Sequence, residues 1–250
     1  MTVLLIDVGN TRIKWRAVDA RQGFAPDDAT GSATPDRVAE LETLWRPLVL
    51  DGAWMANVAG ATRALLVEER LPRGTIVHRV GAQSVLAGVT NGYREPEKLG
   101  ADRWCALVGA RALFPSEPVV IASFGTASTI DLLDADGTFA GGVILPGFEL
   151  MRSSLSAGTA DRPRASGRYQ VLAQTTDDAI TSGIAHAQAG ALERFLRLTD
   201  AGAQLGPGVR RVLLSGGHAP EVLPLLPFPA TIVDNLVLRG LFEVARETLA

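Results

Sequence analysis

Asp7-Val8-Gly9-Asn10-Thr11 closes an apolar run with a carboxylate, a glycine and two small polar side chains. Residues of these types can handle a phosphate. Glycine lets the backbone come close, exposed amides and the Thr11 hydroxyl can donate to phosphate oxygens, and Asp7 can hold a hydrated Mg²⁺. The same residues also make an ordinary hairpin tip. What raises the first reading is a second glycine–hydroxyl turn, Gly125-Thr126-Ala127-Ser128-Thr129, after another apolar run half a chain later. Two such turns suggest duplicated halves closing over one nucleotide. Between them, Gly100-Ala101-Asp102-Arg103 sets an acid beside a base at the start of a candidate helix. Asp102 can be a helix N-cap there. Alternatively it takes a proton from an acceptor hydroxyl while Arg103 grips an anionic group of the same substrate. Ser215-Gly216-Gly217-His218 follows a third apolar strand. Its two glycines permit a flat ligand such as adenine against the backbone, or simply a strand-to-helix turn. His218 reads as a surface or capping residue, and three scattered histidines with one cysteine give no transition-metal signature.

The elements that must position these residues follow from the apolar spacing. Val3 to Val8 reads as a buried strand and Ile13 to Val18 as its partner in a hairpin tipped by Gly9-Asn10-Thr11. Pro35 to Leu48 has near-helical spacing, and Gly52 to Val58 reads as the next buried strand. Asp102 to Leu113 is predicted as a helix rich in alanine and leucine, stopped by Phe114-Pro115. Val119 to Ser123 and Ser128 to Leu133 repeat the first hairpin, and a third strand follows around Phe139 to Ile144. A helix then runs through Leu155, and Ala160 to Tyr169 is expected to be a loop. Thr176, with Asp177 and Asp178 behind it, is expected to cap a helix reaching about Leu198. Val212 to Leu214 reads as a strand, and Asp234 is expected to cap the last helix. The second half thus restarts the first half's plan at Ser116 to Pro118, which divides the chain into lobes of residues 1–115 and 116–250. Alternation of helix and strand implies an α/β fold.

Bulk properties agree. A chain of 250 residues suits two small lobes, and 47% apolar against 20% charged residues is the balance of a globular protein. A formal charge of −3 gives no footprint for gripping nucleic acid non-specifically. Lys14 and Lys98 are the only lysines, and one of them lies in the first turn motif. Cys105 is the sole cysteine, so no intrachain disulfide forms, and its apolar neighbours predict a buried, inert thiol. The first residues do not have the pattern of a secretory leader, and no apolar stretch reaches the roughly 20 residues of a membrane helix. A cytoplasmic location without membrane attachment is the expectation.

I-D-V-G-N-T-R-I-K, G-A-D-R, F-G-T-A-S-T-I-D, G-G-V-I-L-P-G, T-x-x-A-I-x-x-G from Thr176 to Gly183, L-S-G-G and D-N-L-V-L-R-G-L occur in this order over Leu4 to Leu241. In order and spacing the set resembles type III pantothenate kinases. The resemblance implies an α/β fold of duplicated ribonuclease-H-like lobes, that of the acetate-and-sugar-kinase/Hsp70/actin superfamily. It further implies ATP-dependent phosphorylation of pantothenate to 4′-phosphopantothenate, the first step towards coenzyme A, by a homodimer whose substrate pocket lies at the interface. It assigns ATP contacts to Asp7, Val8, Gly9, Asn10, Thr11, Arg12, Ile13, Lys14 and Thr126, with Asp7 on Mg²⁺, most simply through water. It assigns pantothenate to Tyr93, Gly100, Ala101, Asp102, Arg103 and Thr176, with Asp102 as proton acceptor. Ser123 stands where many members carry an aspartate linked to a monovalent-cation site. A hydroxyl is the weaker ligand, which leaves dependence on K⁺ or NH₄⁺ open. Two other readings stay open on the residues alone: a kinase of this fold acting on a different small acceptor, or a regulatory, transcription-accessory protein that keeps the nucleotide pocket.

Overall fold

The computed structural model describes residues 1–25, 28–157, 167–201 and 211–249. By their contacts, the residues form two compact units.

Unit one is built on β1 (Thr2–Val8), β2 (Ile13–Asp19), β3 (Thr30–Ala33), α1 (Glu40–Trp45), β4 (Gly52–Asn57), α2 (Ala61–Glu68), β5 (Val77–Val80), β6 (Val85–Leu86), β7 (Val89–Asn91) and α3 (Ala101–Leu113). Its five-stranded sheet has the order β3-β2-β1-β4-β5. β1 and β2 form the antiparallel hairpin, with Val8 opposite Ile13, and β4 lies parallel to β1. β1 is apolar on both faces because both are covered. Leu4, Ile6 and Val8 pack with Leu41 and Trp45 of α1 and Ala64 and Val67 of α2. α3 covers β4 on the other side. The helical spacing of Pro35 to Leu48 yields only a 3₁₀ turn at Pro35–Arg37 followed by α1. α1 ends just before Pro47, which has no N–H to continue the helical ladder after the Arg46 N–H has bonded to the Glu42 carbonyl.

Unit two contains β8 (Val119–Phe124), β9 (Ala127–Leu133), β10 (Thr138–Pro146), α4 (Phe148–Ala157), α5 (Thr176–Ala201), β11 (Arg211–Ser215), α6 (Ala219–Val222) and β12 (Thr231–Ile232). The opening residues of β10, Thr138 to Ala140, group with unit one, where Thr138 and Phe139 pair in parallel with Thr90 and Asn91 of β7. From β10 the order in unit two is β10-β9-β8-β11-β12. β8 and β9 are an antiparallel hairpin, and β11 runs parallel to β8. Central hairpin, parallel neighbour, second parallel neighbour is also the order in unit one, so the duplication is one of topology as well as of motif.

The chain does not divide at a single point into 1–115 and 116–250. Unit one takes Met1–Ser116, Gly137–Ala140 and Asn235–Ala250, leaving Glu117–Asp136 and Gly141–Asp234 to unit two. The last helix, α7 (Leu236–Leu249), packs on α3 and against β1. Leu236, Leu238, Leu241 and Val244 give it a buried apolar face. At the crossing, Gly240 lies so close to the backbone of Cys105 that a Cβ there would collide with the Cys105 carbonyl. This gives a packing reason for the glycine of the D-N-L-V-L-R-G-L motif. Asn235 at φ +56, not Asp234, holds the cap position of α7, its carbonyl accepting from the Arg239 N–H at 3.0 Å. The cap of α5 likewise moves one residue back. The Thr175 hydroxyl accepts from the Asp178 N–H at 3.2 Å, and Thr176 is the first helical residue. Most of the loop expected at Ala160 to Tyr169 lies outside the described residues; Gly167 to Gln170 have no regular structure.

Candidate active site

The carboxyl ends of β1 and β4, two parallel strands of unit one, carry the first cluster. Asp7 stands opposite Lys14 on β2 and beside Ala56 on β4. Val8 then leads into a turn closed by the Gly9 N–H on the Arg12 carbonyl at 2.9 Å. The Gly9 amide is therefore used inside the turn and is not one of the donors expected for a phosphate. Asn10, Thr11 and Arg12 are exposed at the tip, whereas Val8 and Ile13 point into the core at 0% exposure, so only their backbone faces a ligand. Arg12 Nη1 is 3.4 Å from Ser32 Oγ. The tip is tied down from β4 and α2: Arg63 Nη1 donates to the Asn10 carbonyl at 2.7 Å, and Asn10 Nδ2 to the Val58 carbonyl at 3.5 Å. The sequence reading missed Arg63. Nothing in a lone arginine on a short helix marks it, and only the fold sets it beside the turn.

Burial pushes the Asp7 carboxyl up to about 7; Lys14 pulls against this, and the Asp102 charge adds to the rise. Two carboxylates and a lysine therefore share one field at the edge of unit one. The Cys105 thiol, fully buried one helical turn behind Asp102, is pushed well up by burial, then by Asp7 and by Asp102. It is an inert core residue.

Asp102 does not cap α3. Gly100 holds the cap position and its carbonyl accepts from the Trp104 N–H at 2.9 Å, which leaves Asp102 as the second helical residue. Its carboxylate is half-buried at the positive end of the helix and accepts from the Arg103 N–H at 2.8 Å. The Ala101 side chain is buried, so it offers a ligand only its backbone. Arg103 is 6% exposed and donates from Nη1 to the Tyr93 hydroxyl at 2.8 Å. Its guanidinium lies 5.6 Å from the ring centroids of both Tyr93 and Phe139, and those two rings are 5.3 Å apart. The structure thus brings the charges of Lys14 and Asp102 to bear on Asp7, and Tyr93 onto Arg103. Phe139, the floor of that second group, went unmarked in the sequence because a buried strand phenylalanine reads as core.

No group of three or more His, Cys, Asp or Glu residues able to hold a metal occurs among the described residues. A divalent ion with all-protein ligands does not fit. Mg²⁺ does, because it keeps several waters, takes one or two carboxylates and completes its shell on substrate phosphates. Asp7, whose proton affinity is raised by burial and by the Asp102 charge, is a suitable donor.

Unit two carries the remaining residues. Thr126 is half-buried in a turn closed by the Gly125 N–H on the Ala127 carbonyl at 3.2 Å. Ser123 lies on β8 between Thr129 and Ser215, and Thr176 is exposed at the start of α5. Gly216 has φ +91 and sits against the Phe124 backbone, so the strand-to-helix turn alone accounts for it; Gly217 has open space around its Cα. His218 stacks on Phe148 at 4.5 Å and places Nδ1 3.0 Å from Glu221, which is a packing role at the start of α6.

A sequence profile of type III pantothenate kinases matches residues 3–198. The type III pantothenate kinase of Dechloromonas aromatica is 44% identical over 245 residues, covering 97% of this chain and 98% of that one. That of Aromatoleum aromaticum is 46% identical, covering 99% of both. Among solved structures, a Campylobacter jejuni protein described as a Baf family transcriptional activator superposes with a TM-score of 0.62 at 18% identity, over 98% of each chain. The activator of 2-hydroxyisocaproyl-CoA dehydratase from Clostridium difficile gives 0.52 at 13% identity, over 99% of this chain and 94% of that one. At such identities these two likenesses speak for the fold alone.

Proposed function

Because the chain belongs to the type III pantothenate kinase family and phosphorylates pantothenate with ATP in coenzyme A biosynthesis, we propose that Asp102 is its general base. The observation that carries this is the position of Asp102. It stands inside the first turn of α3, past the cap position held by Gly100, and its charge is felt at Asp7, where the phosphate turn begins. Asp102 takes the proton of the pantothenate primary hydroxyl, that oxygen bonds to the γ-phosphorus, and the bond from the γ-phosphorus to the bridging oxygen of ADP breaks. Phosphoryl transfer asks for positioning and charge neutralisation rather than covalent help, which suits a site without histidine or cysteine catalysts.

Arg103, held by the Tyr93 hydroxyl, anchors the pantothenate carboxylate, with Gly100, Ala101 and Thr176 completing that subsite. Asn10, Thr11, Arg12 and Lys14, with Thr126 from unit two, hold the ATP phosphates, while Gly9 shapes the turn. Asp7 would hold Mg²⁺, which would supply charge neutralisation on the ATP phosphates. Ser123 supports at most a weak monovalent-cation site. A homodimer is supported by exposed apolar side chains on unit two, including Val143, Ile144, Leu150, Leu155, Val171 and Leu172. A cytoplasmic location suits the family's reaction, and no helix among the described residues is long and apolar enough to cross a membrane.

The test is a coupled ADP-release assay with ATP, Mg²⁺ and pantothenate on wild type and Asp102→Asn. The variant should bind both substrates and lose about 10²–10⁴-fold in turnover. Near-wild-type turnover would remove Asp102 from the chemistry.

A further inference from the structure

Tyr93 and Arg103 meet through one hydrogen bond, yet nine residues lie between them, and the first of those have exposed polar side chains. Arg94, Glu95, Glu97 and Lys98 are exposed, and the first fully buried side chain after Tyr93 is Leu99. An exposed polar segment of this kind wanders unless polar bonds fix it.

Asn91, the last residue of β7, supplies those bonds. It is 8% exposed, one of the few buried polar side chains among the described residues. Its Oδ1 accepts from the Tyr93 N–H at 3.0 Å and its Nδ2 donates to the Pro96 carbonyl at 3.1 Å, so one amide group spans both ends of the Tyr93–Pro96 segment. Asn91 is itself fixed by its own N–H on the Ser84 carbonyl at 2.8 Å and by strand pairing with Phe139. Gly92 closes the other side: its N–H donates to the Phe139 carbonyl at 3.1 Å, and a Cβ there would collide with that oxygen. Beyond Pro96, the 3₁₀ turn Pro96–Lys98 leads through Leu99 into Gly100 and the start of α3.

We infer that Asn91 is a positioning residue for pantothenate: its side-chain amide sets Tyr93 against Arg103, and through Pro96 sets the entry into the Gly100–Arg103 segment, without itself touching substrate. The inference rests on the reading that Tyr93 and Arg103 bind pantothenate. Its signature is selective, because the phosphate turn at Gly9–Arg12 hangs from β1, β4 and Arg63 and not from this segment.

The experiment measures KM for both substrates, turnover and thermal unfolding for full-length Asn91→Ala and Asn91→Asp, with Arg103→Lys and Tyr93→Phe as references. Asn91→Ala should raise the pantothenate KM about tenfold, leaving the ATP KM within about twofold. Asn91→Asp keeps the acceptor for Tyr93 and loses the donor to Pro96, so it should fall between Ala and wild type. It also serves if Asn91→Ala does not fold. An unchanged pantothenate KM in the folded Asn91 variants, with the references raised, overturns the positioning role alone. An equal rise in both KM values together with a lower melting temperature reduces Asn91 to a structural residue. If Arg103→Lys and Tyr93→Phe also leave the pantothenate KM unchanged, the assignment of the subsite fails, and the inference with it.

Discussion

The two glycine turns share one topology and divide the chemistry unequally. In unit one, the residue two before the glycine is Asp7, half-buried, opposed by Lys14 and within the field of Asp102. In unit two the same position is Ser123, between Thr129 and Ser215, with no charge of its own. The first tip spans Gly9 to Arg12 and the second only Gly125 to Ala127, one residue tighter. Their support differs as well. The first is tied by a side chain, Arg63 on the Asn10 carbonyl, the second by backbone, the Gly147 N–H on the Thr126 carbonyl at 3.1 Å. Gly147 is pressed so closely there that a Cβ would collide with the Gly125 carbonyl and stand 2.5 Å from that of Thr126, whereas a Cβ on Gly125 would meet only an ordinary 3.5 Å contact. The two units therefore share the hairpin, with a carboxylate before the glycine in one and a hydroxyl in the other. The first turn carries a carboxylate and is tied by a side chain, and the second has a hydroxyl there and is tied by backbone.

Substitution at the paired positions breaks this comparison most directly. Asp7→Asn should cut turnover on the order of 10²–10³-fold, the cost of removing one preorganised electrostatic group, while Ser123→Ala stays within about threefold. Steady-state ADP release on both variants decides it, and equal losses would make the two turns equivalent.

Proton linkage sharpens the same contrast. Asp7 holds its proton up to about pH 7 in the fold, against an ordinary value of 3.8. Between those values the folded state binds more protons than the unfolded one, so stability falls as pH rises through the window and levels off above it. In metal-free protein, Asp7→Asn should abolish this slope and gain about 2–4 kcal/mol over wild type at pH 8. Urea denaturation at pH 4 and pH 8 with a chelator present reads it, and Ser123→Ala should leave the slope intact.

The backbone tie of the second turn predicts a smaller effect. Gly147→Ala should destabilise by about 1–3 kcal/mol through overpacking, and Gly125→Ala by less than about 1 kcal/mol, both measured by the same denaturation. The smallest change is a gain. Ser123→Asp puts a carboxylate before the second turn and should raise activation by K⁺ over Na⁺ about two- to threefold, since a carboxylate is a harder and stronger cation ligand than a hydroxyl. No difference between the two salts would separate that position from cation binding.

The sequence by itself determined the strands entering both turns, the glycines at their tips, the alternation that makes an α/β fold and the motif order that places the chain in its family. These are local signals: apolar runs bounded by glycine and polar residues carry their meaning within a few positions. It also foresaw the buried Cys105, since its apolar neighbours lie on the same helix. Only the tertiary structure decided which motif residues can face a ligand. Val8, Ile13 and Ala101 belong to the motifs and turn their side chains into the core. It also decided that Asp102 is the second residue of α3 and not its cap, that Arg63 and Asn91 reach segments far from or beyond their own elements, and that the final helix returns to unit one. The reason is common to all of these. Desolvation, a backbone approach such as Gly240 on Cys105, and a bond such as Arg63 to Asn10 are set by surroundings assembled from distant parts of the chain, and no local spacing encodes them.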